Sequence, residues 1–265
     1  MQRYLMESNE ETRRLDLKTD KENVKKQALW AGIQPGMRVA DLGYGSGKTT
    51  YILNELVQPD GSVVGVDFSK ERVRYASTNY HHPSIEYICR NICEPLDDLG
   101  LFDFLWVRFV LEYYRTQSFE IVKNISRILR PGGILCLIDL DYNCLTHYGI
   151  PKNLEKTLND IMSNVEKNSD FDPFVGRKLY SFLYDLEYKN IAVDLTPHHL
   201  IYGELKEIDE FNWTKKVEVA VRQHGLSFDE YPEGSTRFLE EFRQAFKNPR
   251  RFTYTPVISC SGVKP

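Results

Sequence analysis

Three glycines spaced two apart, Gly43, Gly45 and Gly47, sit in VADLGYGSGKTT behind Asp41, between an apolar run and a stretch of helical periodicity. Glycine in such a turn tolerates positive φ and lets a ligand lie against the backbone. The N-terminus of the helix that follows favours an anionic group. Three ligand classes use a turn of this kind, and spacing separates them. A Walker A loop needs glycine five residues before the Gly-Lys pair, where Leu42 stands. A dinucleotide fingerprint needs G-x-G-x-x-G, and from Gly43 and Gly45 the third site is Lys48. What remains is D-x-G-x-G-x-G. Asp67 ends the next apolar run, VVGVD, 20 residues after Gly47, the distance at which such folds place an acid for ribose hydroxyls.

The elements that must hold these residues alternate. Strands are expected at Met37–Leu42, Ser62–Asp67, Ile85–Arg90, Phe102–Arg108 and Ile134–Leu140. Helices are expected at Lys48–Val57, after Ser69, and over Thr116–Arg130, the last ended by Pro131-Gly132-Gly133. Thr19-x-x-Glu22 reads as a capping box for an earlier helix that stops at Gly32. Runs such as VVGV and ILCLI are continuously apolar, which means burial on both faces. Strand–helix alternation of that type specifies an α/β fold with a doubly wound, mostly parallel sheet. Farther on, helical patterns fall at Lys152–Lys167, Val175–Tyr188, Lys206–Gln223 and Ser235–Phe246. Two β-like runs, Ile191–Tyr202 and Arg250–Val263, extend the sheet.

Composition narrows the classes. Over 265 residues the net charge is −4, with 42% hydrophobic and 27% charged residues, which gives no basic footprint for nucleic acid. The first residues lack an apolar h-region and no run reaches the ~18 residues of a membrane span, so a cytoplasmic location is expected. Five cysteines make an odd count, a poor disulfide framework, and Cys89-x-x-x-Cys93 has no second pair to complete a metal set. No metal is expected.

Over residues 10–140 these motifs resemble the Rossmann-like, class I S-adenosylmethionine-dependent methyltransferases, in particular the ubiquinone/menaquinone-type and small-molecule branch. The resemblance implies a seven-stranded sheet with helical lid insertions after strands five and six, in a single domain. Within it, 1–35 would form a helical lid, 36–141 the cofactor core and 142–265 the remaining strands with acceptor-side insertions. It implies S-adenosyl-L-methionine as cofactor and S-adenosyl-L-homocysteine as product. Asp41, Gly43, Gly45 and Gly47 would wrap its methionine part, with Tyr44 standing where a small residue is usual. Asp67 would take both ribose hydroxyls, and Phe68 would pack on the adenine. Asn91 stands where an Asp usually faces the adenine amino group, and the backbone of Ile92 would face a ring nitrogen. Arg108, at the end of the fourth strand, would underlie the methyl, and Arg14, in ETRRLDL, would reach the cofactor carboxylate. Beside these roles stand blander ones: Asp41 as a cap or loop brace, and Arg108 as a surface ion-pair partner. Lys48, opposed to the helix dipole, reads as solvated.

The acceptor side is expected in the loop after the fifth strand (Asp141, Tyr142, His147, Tyr148) and the insertion helices. His147, flanked by Tyr142 and Tyr148, is a candidate base for a phenolic or enolic proton; the alternative is a surface loop residue. His198-His199 in a β-like run should point to opposite faces. Phe171, Phe174, Tyr180, Phe182, Tyr184, Phe211 and Trp213 read mostly as the lid's own core. The expected activity is methyl transfer to a small molecule. The alternatives are an RNA or protein methyltransferase and an inactive cofactor-binding protein. No nucleic-acid or membrane partner is expected.

Overall fold

The computed structural model describes residues 9–142, 146–223, 228 and 230–265, so Cys144 lies outside it. Among the described residues eight strands form one sheet: β1 (Arg38–Leu42), β2 (Ser62–Asp67), β3 (Ile85–Cys89), β4 (Phe102–Arg108), β5 (Leu129–Leu140), β6 (Thr146–Tyr148), β7 (Lys189–Tyr202) and β8 (Phe252–Val263). Their order is β3-β2-β1-β4-β5-β8, with β6 and β7 each paired to β8. The first five are mutually parallel. β8 runs antiparallel to β5: Gly132 N–H donates to the Lys264 carbonyl at one end, and Asp141 N–H to the Pro256 carbonyl at the other. The doubly wound sheet is present with its seven long strands, and three-residue β6 is an addition. The helices are α1 (Asn9–Lys18), α2 (Lys21–Ala31), α3 (Lys48–Val57), α4 (Lys70–Asn79), α5 (Ser118–Ser126), α6 (Lys152–Asn168), α7 (Leu179–Asp185), α8 (Glu207–Gln223) and α9 (Gly234–Lys247).

Two local expectations change. The cap of α2 is Asp20, whose side chain accepts from Asn23 N–H, while the Thr19 hydroxyl turns back to the Leu15 carbonyl. Arg130-Pro131-Gly132-Gly133 lies inside β5 and does not end a helix. The strand absorbs it because Gly132 N–H and the Gly133 carbonyl both pair with Lys264, a partner more than a hundred residues away. The proline costs a ladder bond, and the pairing with β4 slips there, between Phe102 and Phe104.

The chain packs as two compact units. The first comprises the chain up to Asp139, Gly176–Asp194 and Ile258–Pro265. Its core is the continuous apolar set of β1 and β4 (Val39, Ala40, Leu42, Phe104, Leu105, Trp106), covered by α3 through Ile52 and Leu53. Gly65, in β2, makes room for an aromatic ring: a Cβ there would stand 2.8 Å from Tyr44 Cδ1 and 3.0 Å from Tyr87 Cδ1. Gly65→Ala should therefore cost about 1–3 kcal/mol of overpacking. Combined with Tyr44→Cys it should cost less than the sum of the two single changes, as urea denaturation would read. Strict additivity would mean that the two positions do not share space.

The second unit comprises Leu140–Val175 and Leu195–Val257. Helix α6 buries Leu154, Leu158, Ile161 and Val165, and α9 buries Phe238, Phe242 and Phe246, each one stripe at helical spacing. Trp213 and Phe171 are buried as expected, whereas Tyr180, Tyr184 and Phe211 are exposed and are not core residues.

Candidate functional site

The glycine turn is folded by strand, helix and acid together. Gly43, Gly45 and Gly47 have φ of +80°, +65° and +88°, values that side chains adopt at a cost. Gly43 N–H donates to the Val66 carbonyl at 2.7 Å, and Gly45 N–H donates to Asp67 Oδ2 at 3.1 Å. Gly47 caps α3 and presses on α4, where a Cβ would meet Ala76 Cβ at 2.5 Å. A Cβ on Gly43 would meet Val110 at the same distance, and one on Gly45 would meet Leu15 of α1 at 3.3 Å. Arg14 is half-buried on that helix. Lys48 is not solvated: its ammonium donates to the Asp16 carbonyl of α1 at 2.8 Å, which answers the unfavourable dipole with a partner.

Asp67 is 3% exposed. Its Oδ1 accepts from Ser69 N–H at 3.0 Å, and Arg72 Nη1 lies 3.5 Å from Oδ2. Arg72, buried in the first turn of α4, is absent from the sequence-derived set. A cation placed against the dipole of that helix is the signal that marks it. Phe68 is 38% exposed beside the acid, offering an open ring face. Asn91 is turned inward, its Oδ1 accepting from Cys93 N–H at 3.0 Å, while buried Ile92 gives its carbonyl to Asn124. An amide oxygen has two lone pairs, so one acceptor position remains. Tyr44 packs on Tyr87 with ring centroids 5.1 Å apart, and its hydroxyl is buried with no hydrogen-bond partner.

Asp41 braces the helix: Thr50 Oγ1 donates to its Oδ2 at 2.8 Å. Burial, partly offset by that bond and by the Arg108 charge, raises its pKa to about 7. Arg108 is half-buried and not a surface ion-pair partner. Its Nε donates to Gln27 Oε1 at 3.1 Å, and its guanidinium lies 4.1 Å over the Phe109 ring. Burial lowers its pKa to about 10. A carboxyl with a folded pKa above its unfolded value loses stability as pH rises from about 4 through 7. Asp41→Asn, which keeps an acceptor for Thr50, should flatten that fall. Its melting point should approach or exceed the wild type's at pH 8 and trail it at pH 5. An unchanged pH profile would refute the assignment.

The acceptor-side candidates lie in the second unit. Tyr142 has φ of +63°, stacks on Phe174 at 5.3 Å and donates its hydroxyl to Asn159. His147 is on strand β6, not on a loop, because residues 146–148 pair antiparallel with Phe252–Tyr254. Its Nδ1 lies 2.8 Å from Thr253 Oγ1. Burial, then the Arg251 charge, lowers its pKa to about 4, so the imidazole is neutral at pH 7. Tyr148 is 78% exposed. His198 and His199 do not face opposite ways: their rings are 4.4 Å apart, and His199 meets Trp213 at 5.1 Å. Exposure alternates from Val193 to His198, but His198 and His199 are both half-buried, so the phase slips by one after Pro197.

A mostly parallel sheet whose first glycine turn and second-strand acid converge is the Rossmann-like arrangement. Residues 40–137 match the family model described as a methyltransferase domain. That segment is similar to the class I S-adenosylmethionine-dependent methyltransferases, a family whose cosubstrate is S-adenosylmethionine. The chain is 30% identical over 117 residues to the demethylmenaquinone methyltransferase of Lactococcus lactis, covering 43% of this chain and 46% of that one. It is 23% identical over 193 residues to the ubiquinone/menaquinone biosynthesis C-methyltransferase of Vibrio vulnificus, covering 65% and 74%. The first of these alignments spans about half of the relative's length. Among solved structures, a Bacillus halodurans protein superposes with a TM-score of 0.59 at 14% identity, over 92% of this chain and 99% of that one, which is a likeness of fold. No described helix is long and apolar enough to cross a membrane.

Proposed function

We propose that this chain transfers a methyl group from S-adenosylmethionine to a small-molecule acceptor. The observation that carries the reading is the convergence of the three positive-φ glycines on Asp67 through the Gly45 N–H. A turn with no side chain, at the head of a helix, suits the methionine end of the cofactor. Asp67 suits the ribose, and Phe68, Asn91 and Ile92 suit the adenine. Arg14 would meet the carboxylate, with Asp41, Tyr44 and Arg108 completing the set. The cofactor supplies a sulfonium methyl with a good leaving group, so the residues act by holding the two partners in line and excluding water. The net charge of −4 favours a small acceptor over RNA.

In calorimetry the protein should bind S-adenosylhomocysteine and not NAD or ATP; no heat with the first would end the reading. On the acceptor side, His147 is proposed as the base and Tyr142 as its neighbour in the site. With an accepted substrate, His147→Ala should lower kcat by roughly 10²–10⁴ and leave S-adenosylhomocysteine affinity unchanged. An unaltered kcat would leave positioning as the mechanism.

A further inference from the structure

Arg251 is 1% exposed, immediately before β8 in the second unit. Its Nη1 donates to the Gly203 carbonyl at 3.2 Å, and its guanidinium lies 5.3 Å over the Phe246 ring. Its Nε and Nη2 are buried with no hydrogen-bond partner. Asp209 and Glu204 act on it through their charge, and burial still depresses its pKa. A buried cation with idle donors is expensive, and a protein keeps one where something else pairs with it. Nε and one Nη are the two donors that a carboxylate or phosphate accepts side by side.

The rest of that strand face fits. Thr253 and Thr255 are buried between exposed Phe252 and Tyr254, so they share one face of β8, and Arg251 is buried just ahead of them. Thr255 Oγ1 is also buried without a partner, two residues along the strand from Thr253. Between them Thr253 holds His147, whose pKa the Arg251 charge helps to lower. Idle donors on a cation, an idle hydroxyl and an imidazole are thus gathered at the start of one strand.

We propose that the second unit holds an oxyanion-binding site centred on Arg251, which receives the carboxylate or phosphate of a small molecule, with Thr255 and His147 facing its body. Its occupant is then the methyl acceptor, and this last step rests on the reading above. Since Arg251 is 1% exposed, entry requires the surrounding elements to part, and binding should be accompanied by a conformational change.

Benzoate, phenyl phosphate and neutral benzamide serve as probes with the intact chain. Benzoate or phenyl phosphate should raise the thermal midpoint, and whichever acts more strongly identifies the anion; benzamide should do nothing. The same anion should raise the His147 pKa in imidazole NMR. Arg251→Met should weaken anion binding by roughly tenfold or more, while its own ligand-free midpoint should not fall, because it removes a buried charge with two idle donors. If this variant does not fold, the His147 shift in the wild type decides. Equal responses to the anions and benzamide, or an Arg251→Met protein that answers benzoate as the wild type does, would overturn the site. Anion binding in a protein that fails to bind S-adenosylhomocysteine would keep the site and remove its assignment to the methyl acceptor.

Discussion

Asp67→Ala is expected to weaken S-adenosylhomocysteine binding by roughly 10²–10⁴, the loss of two charge-assisted hydrogen bonds of about 1.5–3 kcal/mol each. The same change acts on the free protein. The carboxylate is 3% exposed and holds Gly45 N–H, Ser69 N–H and Arg72 at once. Removing it takes a charge partner from a buried guanidinium and an acceptor from two amides, which should cost about 3–5 kcal/mol. Asp67→Asn separates the two effects, because its oxygen still accepts from one amide. It should recover much of the stability and little of the affinity. Calorimetry beside thermal melting reads both. An Asp67→Ala protein that binds within threefold of the wild type would remove this residue from the site.

The second large effect belongs to Gly47→Ala. Its φ of +88° costs a side chain about 1–2 kcal/mol, and the new Cβ would stand 2.5 Å from Ala76 Cβ and 3.2 Å from Ala76 Cα. No rotamer relieves a backbone contact, so α4 must shift away, at a further ~1–3 kcal/mol. The total is a large part of the 5–15 kcal/mol that holds a typical domain together. Gly36→Ala is the control: its φ is +83°, yet nothing lies within 4 Å of the added methyl. Urea denaturation should show Gly47→Ala losing clearly more than Gly36→Ala. Equal losses would mean that backbone strain alone, and not the helix contact, makes glycine necessary there.

What the sequence could reveal depended on how local the cause was. α3 has the expected ends at Lys48 and Val57, and β2 runs from Ser62 to Asp67 as read. A glycine cap, a turn and an apolar run are all contained in their own segments. Ser69 capped α4 as anticipated, its hydroxyl accepting from Arg72 N–H. The glycine turn and Asp67 were legible for the same reason, since the acid lies one strand on and the spacing is covalent.

Failures came where a distant partner decided. His147 became part of a strand because Thr253 lies opposite, and Arg130–Gly133 extended β5 because Lys264 pairs there. Lys48 found a carbonyl on α1 that no periodicity announces. Arg251 is the extreme case: nothing within ten residues of it hints at a buried guanidinium.

The place of β8 in the sheet has a consequence for synthesis. The carbonyl and amide of Gly133 and Gly132 wait for Lys264, and Asp141 waits for Pro256. On the ribosome, β1 to β5 can therefore be complete while the outer edge of β5 has no neighbour, and it stays so until β8 emerges. An unpaired edge of that length is a template for wrong partners. The nascent chain should thus be a client of chaperones that shield strand edges, and a slow stretch of translation before residue 252 should increase aggregation, not reduce it. Ribosome-bound intermediates stalled on either side of β8, compared by limited proteolysis, would show the protected form arising only in the longer one.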